Sequence, residues 1–158
     1  MLNEGDAAPD VMLQMGDGSA LALSRMKRPL ALYFYPKDDT SGCTAEAKDF
    51  SDLAAAFEMA GTSLLGVSKN TPKEHGKFTE KYGLKVPLAT DADGSVTEGF
   101  GVWVEKSMYG RKYMGIERAT FLIDEDGHIA RAWRKVSVPG HAEEVLAAAR
   151  ALKGAAAA

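Results

Sequence analysis

There is one cysteine in 158 residues, Cys43, so no internal disulfide can form and a disulfide-stapled secreted scaffold is excluded. A lone thiol is most at ease in a reducing compartment, and the cytoplasm is the expected location. Histidine is scarce as well: His75, His128 and His141 are scattered without ligand spacing, which argues against a metal site. Excess positive charge is also missing. With 19 Lys and Arg against 22 Asp and Glu, the formal net charge is -3, which offers no footprint for nucleic acid and no cationic helix for a membrane surface. No apolar run approaches the ~18 residues of a membrane span. The opening MLNEGDAAPD has early acids and no apolar core, so it does not read as a signal peptide. What is present, 46% hydrophobic and 26% charged residues, is the composition of a folded, water-soluble domain. We expect one domain over residues 1–154 and a low-complexity alanine tail, 155–158, with no assigned role.

Along the chain, DVMLQM and ALAL flank Gly16-Asp17-Gly18-Ser19 and predict an N-terminal β-hairpin. LALYFY (30–35), ended by Pro36, is too short and aromatic for a helix and reads as a central strand. From Ser41 the spacing of Ala47, Phe50, Leu53, Ala54 and Phe57 predicts one helix running to Gly61. TSLLGVS (62–68) returns to strand. Thr71-Pro72-Lys73-Glu74 is a capping box with proline at the first helical position, and Gly83 closes that helix. PLAT (87–90) reads as a short strand, ATFLID and HIARAWR as a hairpin around Glu125-Asp126-Gly127, and GHAEEVLAAARALKG as a helix ending at Gly154. Helices and strands alternate while two hairpins demand antiparallel pairs, so the sheet is expected to be mixed.

The chemistry points to YPKDDTSGCTAEAKDF, which places Cys43 just past a strand, a proline and a Ser-Gly turn, where a helix opens. First-turn amides of a helix lack intrahelical partners and carry partial positive charge, so a thiolate placed there is stabilised. Thr40, three residues earlier, is positioned to cap the helix or to offer its hydroxyl to a ligand. Ionisation alone is a weak catalyst. Lowering a thiol pKa from ~8.5 to ~6 raises the thiolate fraction at pH 7 roughly 30-fold. The accompanying loss of nucleophilicity leaves a net gain of about twofold to threefold. A thiol enzyme must also align its substrate and stabilise the leaving group.

The run Tyr35-Pro36-Lys37-Asp38-Asp39-Thr40-Ser41-Gly42-Cys43-Thr44 closely resembles the active-site motif of peroxiredoxins, in particular the peroxiredoxin Q or bacterioferritin-comigratory-protein subfamily. Gly5 to Asp10 resembles the start of the family's domain, GVWVEKSMYG (101–110) its later loop, and IERATFLIDEDG (116–127) its arginine-bearing strand, so the likeness extends from about Gly5 to Leu152. The resemblance implies an α/β, thioredoxin-like three-layer sandwich with a mixed central sheet and the N-terminal β-hairpin as an addition. It implies a thiol-dependent peroxidase for hydrogen peroxide and small organic hydroperoxides, with no cofactor and no metal. Cys43 would be the peroxidatic thiol, held ionised and accessible. Thr40 would hydrogen-bond the peroxide, Pro36 would shield the pocket, and Arg118 would stabilise thiolate and polarised peroxide. A monomer is expected.

Two positions depart from the pattern. Many members of the subfamily carry a resolving cysteine five residues beyond the first, where this chain has Lys48; a one-cysteine cycle completed by an external thiol, whether thioredoxin, glutaredoxin or glutathione, is therefore expected. Ser41 replaces the family's proline and leaves the turn less constrained. Each residue also has a plainer reading. A lone cysteine is often core filler, Pro36 could simply end a strand, Thr40 could only cap, and an isolated arginine is usually solvated. Glu46 reads as a first-turn acid favoured by the helix dipole, and Trp103, Tyr109 and Tyr113 as packing. A thiol–disulfide oxidoreductase would want a Cys-x-x-Cys pair that is absent; a sensor that uses the Cys43 sulfenic acid as a signal is the remaining rival.

Overall fold

The computed structural model describes residues 2–157, with side chains up to Ala155. Its centre is a seven-stranded sheet built from β1 (Met12–Gln14), β2 (Ala20–Ala22), β3 (Leu30–Phe34), β4 (Ser63–Ser68), β5 (Leu88–Thr90), β8 (Ala119–Ile123) and β9 (Ile129–Trp133). The spatial order is β2-β1-β5-β4-β3-β8-β9. Strands β3, β4 and β5 run parallel to one another, and the remaining pairs are antiparallel. The expected mixed sheet is present, and the N-terminal hairpin joins it through Gln14 opposite Thr90.

Side-chain alternation along β3 divides the core. Ala31, Tyr33 and Tyr35 face a cluster formed with α1 (Ser41–Asp52), α2 (Ala54–Met59), α3 (Pro72–Tyr82) and α5 (His141–Ala157). Leu30, Leu32 and Phe34 face the opposite cluster, with Leu13 and with Val96 and Phe100 from around α4 (Ser95–Gly99). All five residues of β3 are buried, as expected of an interior strand covered on both faces. Three layers result, as the thioredoxin-like reading requires.

Four local expectations are corrected. The predicted helix from Ser41 to Gly61 turns at Leu53, whose backbone leaves helical geometry at ψ 4°, and the change of direction brings the rings of Phe50 and Phe57 to 5.9 Å. Segment 101–110 is part of a hairpin, β6 (Trp103–Met108) with β7 (Arg111–Ile116), turned at Tyr109-Gly110 with both residues at positive φ. The short helix α4 was unanticipated. The last helix passes through Gly154 to Ala157, because the alanines that follow are the best helix formers available. By contrast, the capping box at Thr71 and Glu74 forms in full, and Gly83 ends α3 in the left-handed region at φ 62°.

One glycine fixes the floor beneath α1. Tyr33 on β3 lies over Gly66 on β4, where a Cβ would fall 2.6 Å from the ring's Cζ, and its other side stacks on Phe50 at a centroid distance of 4.6 Å. Gly66→Ala should overpack this contact and cost about 1–3 kcal/mol. A urea titration showing an unchanged midpoint would mean that the ring has room to move.

Candidate active site

The β3–β8 pairing decides where the chemistry can be. Phe34 lies opposite Ala119, so the loop leaving β3 and the residue preceding β8, Arg118, emerge at the same end of the sheet. That loop passes from Tyr35 to Thr40, the N-cap of α1. The first bond of the helix ladder is Thr44 N–H to the Thr40 carbonyl, which leaves the amides of Ser41, Gly42 and Cys43 ahead of the ladder. Cys43 is the third residue of the helix.

Arg118 reaches across 75 residues of sequence so that its Nη2 donates to Cys43 Sγ at 3.4 Å. Its Nη1 donates to Glu46 Oε1 at 2.7 Å. Gly42 makes this approach possible, since a Cβ there would stand 3.2 Å from Nη2. Sulfur, guanidinium and carboxylate thus form one chain, its two ends buried, with Cys43 2% and Glu46 1% exposed, and its guanidinium partly buried. Accessibility is lower than the sequence expectation: Cys43 is a buried residue that packs in the cluster with Tyr33 and Ala47, beside the Arg118 guanidinium.

Electrostatics follow from that burial. Desolvation pushes Glu46 up to about 7, against the opposing pull of Arg118. Burial works to lower the basicity of Arg118, but Glu46 and then Cys43 outweigh it and the net shift is upward. A further cation stands nearby: Lys106 on β6 donates from Nζ to the Ile116 carbonyl. Burial and then repulsion from Arg118 lower its pKa, while Cys43 pulls the other way.

The remaining predicted residues lie on the same loop. Thr40 occupies the N-cap position, but its hydroxyl does not cap; it donates back to the Lys37 carbonyl at 2.9 Å, leaving its oxygen free to accept. Pro36 is half-buried where β3 gives way to the loop, and Ser41 is the exposed first residue of α1. Lys48 is exposed on α1. Trp103 is partly buried with Lys69 Nζ 4.1 Å over its ring, whereas Tyr109 is exposed. Glu46, which holds Arg118, is the neighbour that sequence reasoning undervalued. Its only advance signal was its place one turn after Cys43, which in a helix puts both side chains on one face. Among the described residues, no group of three or more His, Cys, Asp or Glu is placed to hold a metal ion. None of their helices is long and apolar enough to cross a membrane.

The model of the AhpC/TSA family matches residues 4–132. The chain belongs to that family. Within it, the chain is 45% identical over 143 residues to peroxiredoxin Bcp of Xanthomonas campestris pv. campestris, covering 90% of this chain and 89% of the relative. It is 45% identical over 143 residues to peroxiredoxin Bcp of Bacillus subtilis, covering 90% and 91%. Among solved structures, the bacterioferritin comigratory protein of Xanthomonas campestris superposes with a TM-score of 0.85 at 42% identity, over 97% of this chain and 98% of that one. A mutant PrxQ of Xylella fastidiosa gives 0.88 at 40%, over 96% and 97%. The chain is a peroxiredoxin of this kind, with the thioredoxin-like fold and thiol-dependent peroxidase activity of the family.

A peroxiredoxin with this buried carboxylate carries a pH signature in its stability. Glu46 binds a proton more tightly folded, with a pKa of about 7, than unfolded, near the ordinary glutamate value of 4.5. The stabilisation is therefore complete below the unfolded value and is lost as the pH rises through about 7. Glu46→Gln should remove this decline while still accepting from Arg118. Parallel slopes of unfolding free energy against pH for the two proteins between 4.5 and 7 would show that the carboxyl is not the source.

Proposed function

We propose that Cys43 is the attacking sulfur and that Arg118, Thr40 and Pro36 complete its site, in a cycle that uses no second cysteine of the chain. The observation that carries this reading is the Arg118 guanidinium 3.4 Å from Cys43 Sγ, held there by Glu46. In the first step, a lone pair of the Cys43 thiolate forms an S–O bond to the terminal oxygen of a hydroperoxide as the O–O bond breaks. Sulfur is oxidised by two electrons to sulfenic acid, and the departing oxygen takes a proton and leaves as water or alcohol. Arg118 offers positive charge first to the thiolate and then to the oxygens as charge moves along S–O–O. Thr40, whose own proton is turned to Lys37, accepts the hydrogen bond of the hydroperoxide O–H and so orients the O–O bond. Pro36 keeps water from one side of the pocket.

The substrates are hydrogen peroxide and small organic hydroperoxides. Support for the second class comes from the Xanthomonas campestris bacterioferritin comigratory protein, described as having alkyl peroxide reduction activity. No other cysteine is available, so an external thiolate attacks the sulfenyl sulfur and expels water to give a mixed disulfide. A second thiol then frees Cys43. Thioredoxin, glutaredoxin and glutathione are the reductants of choice. We read residues 1–154 as one domain that acts as a monomer in the cytoplasm, with residues 155–158 outside the chemistry.

Cys43→Ser should abolish peroxide turnover with the fold intact; retained turnover would refute the assignment. Arg118→Ala should lower the second-order rate constant of attack on peroxide by about 10²–10³, the loss typical of removing one charge-stabilising donor. Unchanged stopped-flow kinetics would remove that residue from the site. With one equivalent of peroxide and no thiol, intact-mass analysis should find the monomer heavier by one oxygen atom. A panel of thioredoxin, glutaredoxin and glutathione then separates enzyme from sensor, because only an enzyme turns over repeatedly.

A further inference from the structure

The loop that carries Thr40 and leads into Cys43 is held from behind by a buried polar network that the reaction itself does not use. Asp38, 8% exposed, receives the Tyr35 hydroxyl proton on Oδ1 at 2.5 Å, and its Oδ2 lies 2.7 Å from His75 Nδ1. His75 is 3% exposed, and its Nε2 is 3.0 Å from the Ala89 carbonyl oxygen. The Asp38 amide donates to Asn70 Oδ1 at 2.9 Å, and Asn70 is braced in turn by the Ser68 hydroxyl. The network ties the loop to α3, β5 and the end of β4 at once. Next to it, Asp39 sits in the left-handed region at φ 58° and is gripped by Lys81 Nζ at 2.8 Å and the Tyr82 hydroxyl at 2.6 Å.

The geometry fixes the orientation of the ring. A carbonyl oxygen only accepts, so His75 Nε2 donates to Ala89. Nδ1 faces Asp38 Oδ2 at 2.7 Å and the Tyr35 hydroxyl at 3.3 Å, so the ring bridges β5 to the loop through Asp38.

We propose that His75 is a positioning residue of the peroxidase site, acting through Asp38 to hold the loop 36–40 in the geometry that presents Thr40 to the substrate. The inference rests on Cys43 being the attacking sulfur. His75 touches neither sulfur nor peroxide; it acts at the rear of the loop. The other groups around the pair are uncharged or committed elsewhere. Tyr35, and Tyr33 on β3, keep their protons, their pKa values raised well above the phenolic range by burial first and then by neighbouring charge. On α3, Glu74 is committed to the Thr71 amide and hydroxyl; from the end of β4, Asn70 and Ser68 are uncharged; over the outer side of the loop, Lys81 and Tyr82 are committed to Asp39.

The test uses the full chain and the rate of peroxide attack, measured by stopped flow without reductant. Asp38→Ala and His75→Leu should slow attack by about tenfold or more, since small displacements of a positioning element are amplified at the reacting atoms. Asp38→Asn is the discriminating variant. Its Nδ2–H can donate to Nδ1 of His75, which still donates to Ala89, while its Oδ1 still accepts from Tyr35, so every bond survives. It should recover most of the rate lost in Asp38→Ala. Rates within twofold of wild type for all three variants, or an Asp38→Asn rate no better than that of Asp38→Ala, would overturn the proposal. Should His75→Leu fail to fold, the two Asp38 variants decide. A wild type whose turnover survives Cys43→Ser would instead sink the underlying assignment, an outcome separable from either.

Discussion

One guanidinium shared between a sulfur and a carboxylate is the constraint on which this molecule depends. Arg118 lies beside Cys43, and a partly buried cation is steadied by a counterion, which Glu46 supplies from the same helix face as the sulfur. The sheet exists in this context to bring two distant stretches of chain to one edge. Pairing Phe34 with Ala119 does so, and a one-residue slip in that register would send Arg118 to the other face. Gly42 adds the last requirement, a position on α1 small enough for the guanidinium to pass.

The rear of the site follows the same logic of paired burial. Polar groups are withdrawn from water at several points, and most are answered: Asp38 by Tyr35 and His75, Asp91 by the amides and hydroxyl at the start of α4, His141 by the Thr120 hydroxyl. Burial leaves His141 with a pKa lowered to about 4, so it is neutral where it packs between Phe50 and Trp133. Two buried polar atoms beneath α1, Tyr33 Oη and Glu46 Oε2, have no partner among the described residues. For Glu46 this agrees with a carboxyl that gives up its proton reluctantly.

What could be read from the sequence was what is local. The capping box at Thr71, the turn chemistry at Gly16-Asp17-Gly18 and the helix start at Ser41 are written in consecutive residues, and each forms. Cys43 stands at that start and Arg118 precedes the ATFLI strand, which made both candidates from the sequence, and the fold brings the two together. What escaped is carried by pairs remote in sequence. Glu46 meets Arg118 across 72 residues and Asp38 meets His75 across 37, and no periodicity links them. The Tyr109-Gly110 turn lacks the Asn-Gly or Asp-Gly signal of a two-residue hairpin, so β6 and β7 went unread. The turn at Leu53 has neither proline nor glycine to mark it; tertiary packing, not propensity, bends the chain there.

Lys48 gives the helix itself a different working life. Five residues on an α-helix are about 140° of rotation, so the position that faces solvent at 48 looks away from the sulfur at 43. A thiol at that place could meet Cys43 only if the helix came apart. With an ammonium there instead, α1 has no reason to unravel within its own chain, and in the proposed one-cysteine cycle the work of exposing the oxidised sulfur passes to the encounter with the external thiol.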